Sequence, residues 1–397
     1  MSSIRTRHFT PARIRRSGNM PPFRPLLEPL TRFGAAAVLA AAACGPGETP
    51  PPQADASAPP PAAAGVRPVV EAQETGAAVL LQAVSAVSDS VVWISGHQGT
   101  WTRTVDGGAT WTTGRVPGHD EREFRDVHAF HRDTAVLLAA GPGDASRLFR
   151  TEDGGATWTE TFVMGHPQGF LDCMDFWDGG SGLAYGDAVD GEIYLLRTGD
   201  GGRSWERVDP SALPPALPGE GGFAASGTCL RTGPQDRAWI ATGNGERARL
   251  LATVDGGATW SVADLPLARG EARGATTVGF RPDGMGFALG GDLVLEREGS
   301  DTPAPRVALS ADGGLSWSAM GDLVMPGAVY GAAWVPDREP ATLLAVGPGG
   351  MDWSIDGGMH WRSVDTVPYW AVEFSSSGRG WAAGPGGRVV RIRLEAP

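Results

Sequence analysis

The sequence predicts an all-β protein, a seven-bladed β-propeller, and three observations support this. A phrase of Ser or Thr, any residue, Asp-Gly-Gly, two further residues and Trp occurs six times. Its copies lie roughly 45 to 55 residues apart, a period that indicates one supersecondary unit used repeatedly. A last unit, residues 369–394, repeats the strands but lacks the phrase. The aspartates of the six copies are Asp106, Asp153, Asp200, Asp255, Asp312 and Asp356.

The phrase predicts a tight turn between two strands. Glycine adopts the positive φ angles that such turns require, and the aspartate carboxylate accepts hydrogen bonds from nearby backbone N–H groups. The Trp begins the next strand and presents a large apolar surface to a neighbouring unit. Because a single active site has no use for six copies, we interpret the six aspartates as structural.

Each unit is predicted to contain three short strands before the turn and one after it. In the second unit the three strands are expected at residues 127–130, 135–140 and 147–150. Four antiparallel strands in a period of about 45 residues describe one propeller blade. The last unit lacks a fourth strand, so we expect the ring to be closed from the N-terminal side, by residues 69–72 or 78–81. This gives seven blades.

The N-terminal region predicts export from the cytoplasm. Residues 1–44 contain seven arginines and one acidic residue, followed by a short apolar run and Cys44. The residues before Cys44 resemble the signal of a bacterial lipoprotein, in which this cysteine is lipidated, although Ala41 stands where that pattern has Leu. Cleavage to a soluble secreted form is the alternative, and Met20 is an alternative start. We expect a periplasmic or cell-surface protein anchored to a bacterial membrane.

Residues 45–65 are rich in Pro and Ala and predict a disordered linker. The propeller domain is therefore expected at residues 66–397. The formal net charge of the chain is −12 at pH 7, and the export segment is basic, so the remainder is still more acidic. Such a surface repels phosphate backbones, which excludes nucleic acid as an expected partner.

Two cysteines, Cys173 and Cys229, lie in the predicted domain, where an oxidising compartment would permit a disulfide. Alignment of Gly169-Phe170 with Gly222-Phe223 places Cys173 opposite Ser226 rather than Cys229. This alignment favours two buried free thiols over a bridge.

The loops that differ between units are where function is expected. Asp172 and Asp187 belong to the densest acidic group near the predicted axis, and two carboxylates at a suitable separation are what glycoside hydrolysis requires. His128 and His131 lack accompanying ligands at metal-site spacing. The sequence contains no nucleophile elbow, phosphate loop or dinucleotide fingerprint, so neither a metal nor a cofactor is expected.

The phrase is similar to the Asp-box, or BNR repeat, of sialidases, sortilins, some glucanases and the photosystem II stability/assembly factors. The chain most resembles the assembly-factor group, because it predicts a single ring and an exported N-terminus, and its last blade contains Gly380-Trp381-Ala382-Ala383-Gly384. The resemblance covers residues 75–394. The arginine motif of sialidases is not matched, and glucanases with Asp-boxes generally join two propellers.

We therefore expect a monomeric, non-catalytic scaffold that binds a protein or peptide partner through its loops. Arginine and aromatic side chains are common anchors of such contacts. The candidate binding residues are Arg125, Arg147, Arg247, Tyr369, Trp370 and Arg388. The alternative is a sialidase- or glucanase-like glycoside hydrolase that uses Asp172 and Asp187. A structural lipoprotein without a dedicated pocket is a third hypothesis.

Overall fold

Seven four-stranded antiparallel sheets form the structure, a computed structural model that describes residues 66–294 and 305–395. Blades 1 to 4 comprise the strands of residues 81–115, 124–163, 171–207 and 230–265. Blade 5 comprises those of residues 273–292 and 307–319, blade 6 those of residues 331–365, and blade 7 combines those of residues 371–395 with the N-terminal strand, residues 67–73. The innermost strands of neighbouring blades contact one another around the ring. The predicted seven-bladed propeller is confirmed.

The strands have similar lengths from blade to blade, although the outer strands of blades 3 and 5 are short. Their bounds are β1 (Arg67–Gln73), β2 (Leu81–Ala86), β3 (Val92–Gly96), β4 (Thr100–Thr104), β5 (Thr112–Arg115), β6 (Phe124–Ala129), β7 (Ala135–Ala139), β8 (Arg147–Thr151), β9 (Thr159–Val163), β10 (Leu171–Phe176), β11 (Gly182–Val189), β12 (Glu192–Thr198), β13 (Glu206–Arg207), β14 (Leu230–Gly233), β15 (Arg237–Ala241), β16 (Ala248–Thr253), β17 (Ser261–Leu265), β18 (Arg273–Phe280), β19 (Gly286–Asp292), β20 (Val307–Ser310), β21 (Ser318–Ala319), β22 (Gly331–Trp334), β23 (Leu343–Gly347), β24 (Gly350–Ser354), β25 (Arg362–Asp365), β26 (Ala371–Phe374), β27 (Gly380–Ala383) and β28 (Val389–Glu395).

The ring closes between the two ends of the domain, as predicted. Strand β1 pairs antiparallel with β28, with Arg67 opposite Glu395 and Gln73 opposite Val389. Of the two segments expected for this role, residues 69–72 lie within β1, whereas residues 78–81 lead into the innermost strand of blade 1. The N-terminal strand therefore completes blade 7.

The two ends of the ring differ in the turns they contain. In blades 1 to 6 the Asp-Gly-Gly turn joins the third strand to the fourth, and the turn from the first strand to the second lies at the same end. We call this end the turn face. The opposite end, the loop face, contains the segments that lead into each first strand and the loops from second to third strands.

Hydrogen bonds within the Asp-Gly-Gly turn explain its sequence. In the first copy, Asp106 Oδ1 accepts bonds from the Thr104 hydroxyl (2.8 Å) and the Thr110 N–H (2.9 Å), and Oδ2 accepts one from the Thr110 hydroxyl (2.5 Å). Gly107 and Gly108 have φ angles of +73° and +91°, which other residues rarely adopt. The other five copies repeat the two bonds to Oδ1, and the predicted turn is present in all six. In the sixth copy the His360 ring nitrogen, rather than a hydroxyl, contacts Asp356 Oδ2 (2.7 Å).

The Trp of each phrase is packed between blades. Each of the seven blade interfaces contains a hydrophobic cluster, and the phrase Trp of blades 1 to 6 contributes to the cluster shared with the preceding blade. Trp158 of blade 2, for example, lies 6.2 Å and 6.1 Å, between ring centroids, from Trp93 and Trp101 of blade 1. The turn and its Trp therefore join each blade to its neighbour.

The turn aspartates should make the fold sensitive to acid. Hydrogen bonds from Thr110, Thr259 and Ser316 lower the pKa values of Asp106, Asp255 and Asp312 to about 2. A lowered folded-state pKa contributes stability that is complete above the unfolded value near 3.8 and is lost as the pH falls towards 2. Thermal melts from pH 5 to pH 2 should show this loss. Asp255→Asn should melt at a lower temperature at pH 5 and show a shallower pH dependence.

The exposed substitution Glu206→Gln, on β13, is the control for that experiment and should leave the acid profile unchanged. An Asp255→Asn profile parallel to that of the wild type would contradict the assigned role of the turn carboxylate.

Cys173 and Cys229 form a disulfide bond, so the prediction of two free thiols is wrong. Their Cα atoms lie 5.9 Å apart, and both residues are buried. The sequence alignment failed because residues 221–228 do not form the first strand of blade 4, which begins only at Leu230. The chain takes a longer path there, and Cys229 rather than Ser226 lies beside Cys173.

The predicted export segment, the linker and Cys44 lie outside the described residues. Within 66–294 and 305–395, no helix has the length and apolar character needed to cross a membrane.

Candidate functional site

The central channel is filled at the loop face by residues 221–228, which we call the plug segment. All of its residues except Phe223 are buried. Gln82 of blade 1 donates to the Ala224 carbonyl (2.6 Å), and the Ser226 hydroxyl donates to the Tyr330 carbonyl of blade 6 (2.7 Å). The segment leads into blade 4, and hydrogen bonds to blades 1 and 6, neither of which adjoins blade 4, hold it across the channel.

Asp172 and Asp187 meet beside the plug segment. Asp172 lies on β10 and Asp187 on β11, their carboxyl groups are hydrogen-bonded to each other, and the Gly222 N–H donates to Asp187 Oδ1 (3.2 Å). A bond between two carboxyl groups requires one of them to hold a proton. Burial and the neighbouring charge of Asp187 raise the pKa of Asp172, and burial raises the pKa of Asp187 to about 6.

The predicted arginines of blades 2 and 4 are held in ion pairs. Arg125 forms a two-pronged bond with Glu123 (3.0 and 2.6 Å), and its guanidinium lies 5.9 Å from the Phe170 ring centre. Arg147 pairs with Glu160 and with Asp144 (3.2 Å). Arg247 is more exposed and pairs with Asp264 (3.1 Å). The structure does not bring Arg147 and Arg247 together.

The predicted residues of blade 7 do come together on the loop face. Tyr369 is buried and its hydroxyl donates to Asp365 Oδ2 (3.0 Å). The Arg388 guanidinium lies 5.9 Å from the Tyr369 ring centre and donates to the Pro368 carbonyl (2.9 Å). Half-buried Trp370 makes an edge-to-face contact with Tyr330, with ring centres 5.1 Å apart. We call Tyr330, Trp370 and Arg388 the aromatic patch.

The turn face has a cavity of about 360 Å³ at the end of the channel, which we call the charged cavity. Its ionisable groups come from the inner strands of four blades: Asp126, His128, Asp175, Arg231 and Glu373. Arg231 and Glu373 are not among the site residues predicted from the sequence. The available signal was a charged residue within a short, otherwise apolar or neutral inner strand, as in Ala371–Phe374.

On one side of the charged cavity, the carboxyl groups are held by hydrogen bonds from neighbouring residues. His128 Nδ1 lies 3.0 Å from Asp175 Oδ1, and Asp175 Oδ2 accepts bonds from the N–H (2.8 Å) and hydroxyl (3.1 Å) of Thr232. Burial acts to raise the pKa of Asp175, but the bond and charge of His128 outweigh it, so the pKa is lowered. Asp126 accepts the N–H groups of Val127 and Met174, and burial raises its pKa.

The other side is a salt bridge that crosses the channel. Arg231 of blade 4 lies 3.6 Å from Glu373 Oε1 of blade 7, and each side chain is about a quarter exposed. Glu373 Oε2 accepts a single long bond from the Ala86 N–H (3.3 Å). Burial raises the pKa of Glu373, and the facing Arg231 only partly offsets this effect.

A second cavity of about 430 Å³, the apolar groove, adjoins the first and shares Arg231, Thr232 and Glu373 with it. Its walls include Phe280, Pro282, Trp334 and Pro336. The Trp334 N–H donates to the Gly279 carbonyl (3.3 Å), which fixes the ring.

No three His, Cys, Asp or Glu side chains within 66–294 and 305–395 converge as a metal site would require.

Fold and site together define a seven-bladed β-propeller whose channel is filled at one face and open at the other. None of the protein-family profiles matches the chain, and no curated protein does.

Solved structures of the same fold do match. YCF48 bound to D1 peptide is 19% identical with a TM-score of 0.58, covering 81% of this chain and 96% of that one. YCF48 from Cyanidioschyzon merolae is 17% identical with a TM-score of 0.57, covering 82% and 98%. The GH74 xyloglucanase from Xanthomonas campestris is 17% identical with a TM-score of 0.55, covering 82% of this chain and 53% of that chain. YCF48 is a photosystem II assembly factor, so the solved neighbours include the group that the sequence resembles.

Proposed function

We propose that this chain is a non-catalytic propeller scaffold that binds a protein or peptide partner. The observation that carries the proposal is the aromatic patch, in which Trp370 packs on Tyr330 and Arg388 lies over the ring of the preceding residue, Tyr369. The plug segment is bonded to the Tyr330 carbonyl, so the patch rests on a filled, hydrogen-bonded centre. Rigid aromatic and arginine side chains are the anchors that contribute most to protein interfaces. The solved complex of YCF48 with a D1 peptide supports the same use of this fold.

The geometry of Asp172 and Asp187 does not favour glycoside hydrolysis. Retaining glycosidases hold their two carboxyl groups about 5 Å apart, and inverting ones hold them further apart, to admit the sugar or a water. Here the two groups are bonded to each other and to the plug segment. Hydrolysis of chromogenic glycosides or sialosides by the purified protein, lost in Asp187→Asn, would instead assign the chain to the glycosidases.

We also propose that the propeller works outside the cytoplasm, held by a lipid on Cys44. The basic and apolar N-terminal segment supports this location. The disulfide between Cys173 and Cys229 supports it independently, because such bonds persist in oxidising compartments.

The double substitution Arg125→Ala and Trp370→Ala should abolish partner capture without unfolding the domain. Capture from an extract of the source cell envelope would be quantified by mass spectrometry, and a loss of about ten-fold or more is expected when two interface anchors are removed. Arg132→Ala is the matched control, because Arg132 is exposed on the turn face. Equal capture by the double variant and the wild type, at equal melting temperature, would reject docking at the loop face through Arg125 and Trp370.

A further inference from the structure

The open mouth of the channel on the turn face is a concavity that the proposed docking at the loop face does not use. The charged cavity and the apolar groove join at Arg231, Thr232 and Glu373, so together they form one recess, which we call the lower mouth. Each part has the size of a binding pocket. Because the plug segment fills the other end, a ligand reaches the lower mouth only from the turn face.

The charge of the lower mouth selects a cation. Its carboxyl groups are Asp126, Asp175, Asp283, Asp337 and Glu373, and its basic groups are Arg231, Arg281 and His128. Carboxyl groups outnumber guanidinium groups even when Asp126, whose pKa is raised by burial, is left out. Asp283 and Asp337 lie exposed at the rim, whereas Asp175 and Glu373 lie deeper, where water screens their charges less.

Among the deep carboxyl groups, Glu373 is the one available to a ligand. Asp126 and Asp175 are saturated by backbone N–H groups, Thr232 and His128. Glu373 makes one long bond and a loose 3.6 Å contact with Arg231, while its side chain is a quarter exposed to the cavity. A carboxylate with few hydrogen bonds is stabilised more by a second cation than is a carboxylate whose oxygens already accept several hydrogen bonds.

The apolar groove determines what must accompany the cation. Half-buried Trp334 and Phe280 form its wall, and Arg281 at the rim is held by Asp283 (3.1 Å) and Glu339. A flat apolar or aromatic side chain buries its surface there. Since Glu373 lines both cavities, the cation and the apolar group must be close neighbours in the ligand.

We propose that the lower mouth binds a peptide segment in which an arginine or lysine stands next to an aromatic residue, with the basic group at Glu373 and the ring against Trp334. The surrounding net negative charge selects this partner chemistry. The chain's own residues 45–65 do not fit, because they contain Glu48 and Asp55 and no basic residue. The surface is separate from the aromatic patch.

Two synthetic peptides test the proposal by calorimetry on the full chain: Ac-Gly-Arg-Phe-Gly-NH₂ and Ac-Gly-Glu-Phe-Gly-NH₂. The first should bind at least about ten-fold more tightly than the second, because the second places like charges together. Glu373→Gln should weaken the binding of the arginine peptide by about ten-fold or more. Glu152→Gln is the matched control, an exposed ion-paired carboxylate elsewhere on the turn face, and should bind like the wild type.

Trp334→Leu is a second variant, which keeps the test open if Glu373→Gln fails to fold. It should weaken the binding of both peptides. The Arg125→Ala and Trp370→Ala double variant should bind the arginine peptide normally, so failure of the loop-face proposal is distinguishable from failure of this one. No binding of the arginine peptide, equal binding of both peptides, or unchanged binding to Glu373→Gln would overturn the proposal. Self-association of the unliganded protein that Glu373→Gln abolishes would assign the lower mouth to a second copy and overturn it as well.

Discussion

Replacing both Cys173 and Cys229 by serine is expected to lower the free energy of unfolding by about 2–4 kcal/mol. The bond links residues 56 positions apart, in blades 3 and 4, and so restricts a long loop of the unfolded chain. It also ties the end of the plug segment to β10, next to Asp172. Loss of the bond should therefore loosen the filled centre of the ring as well as the blade interface.

Urea denaturation of the wild type and the double serine variant, each with and without a reductant, measures this effect. The reductant should destabilise only the wild type. Alkylation of the unfolded, unreduced protein should leave both cysteines unmodified. Complete alkylation of Cys173 and Cys229, together with equal stability of the variant, would show that the thiols are free.

Asp187→Asn is expected to stabilise the protein at pH 7.5 by about 1–2 kcal/mol. Burial raises the pKa of Asp187 from 3.8 to about 6, so ionisation of this group opposes folding. A raised carboxyl pKa gives full stability below the unfolded value and loses it as the pH rises from about 4 to about 6. A shift of this size corresponds to about 3 kcal/mol, reduced here because Asp187 is half-buried and partly screened. The asparagine amide supplies a hydrogen to Asp172 at every pH.

Chemical denaturation at pH 4.5 and pH 7.5 checks this prediction. The free energy of unfolding of the wild type should be lower at pH 7.5 than at pH 4.5, because Asp187 ionises between these pH values. The free energy of unfolding of the variant should fall less over the same range. Asp190→Asn, an exposed position in the following turn, is the control and should follow the wild type. A variant less stable than the wild type at pH 7.5 would contradict the expectation that ionised Asp187 opposes folding.

The repeating part of the fold could be predicted from sequence because its causes are local. Each Asp-Gly-Gly turn is held by bonds within its own eight-residue phrase, such as those of Asp106 to Thr104 and Thr110. The absence of the phrase from the last unit also indicated correctly that the N-terminal end supplies a strand. These features do not depend on how the blades are arranged in space.

The site could be predicted only in part because it depends on one irregular segment. The sequence indicated that Asp172 and Asp187 could form a pair. It could not predict that their carboxyl groups interact directly beside Gly222, whose N–H donates to Asp187. The path of residues 221–228 also decides that Cys229 meets Cys173. Arg231 and Glu373 approach each other from blades 4 and 7, and no pattern in the sequence relates two positions so far apart in the ring.

Closure by β1 has a consequence for synthesis of the protein. Glu71 on β1 and Arg391 on β28 form an ion pair (2.7 Å) although they are 320 residues apart in the chain. During translation, β1 is made before blades 1 to 6, and its partner β28 is made after them, so β1 has no partner while those blades form. The exposed edge of β1 is available for pairing with another chain until β28 has been made. Blade 7 should therefore be the last to fold, and chaperones should matter most at that step.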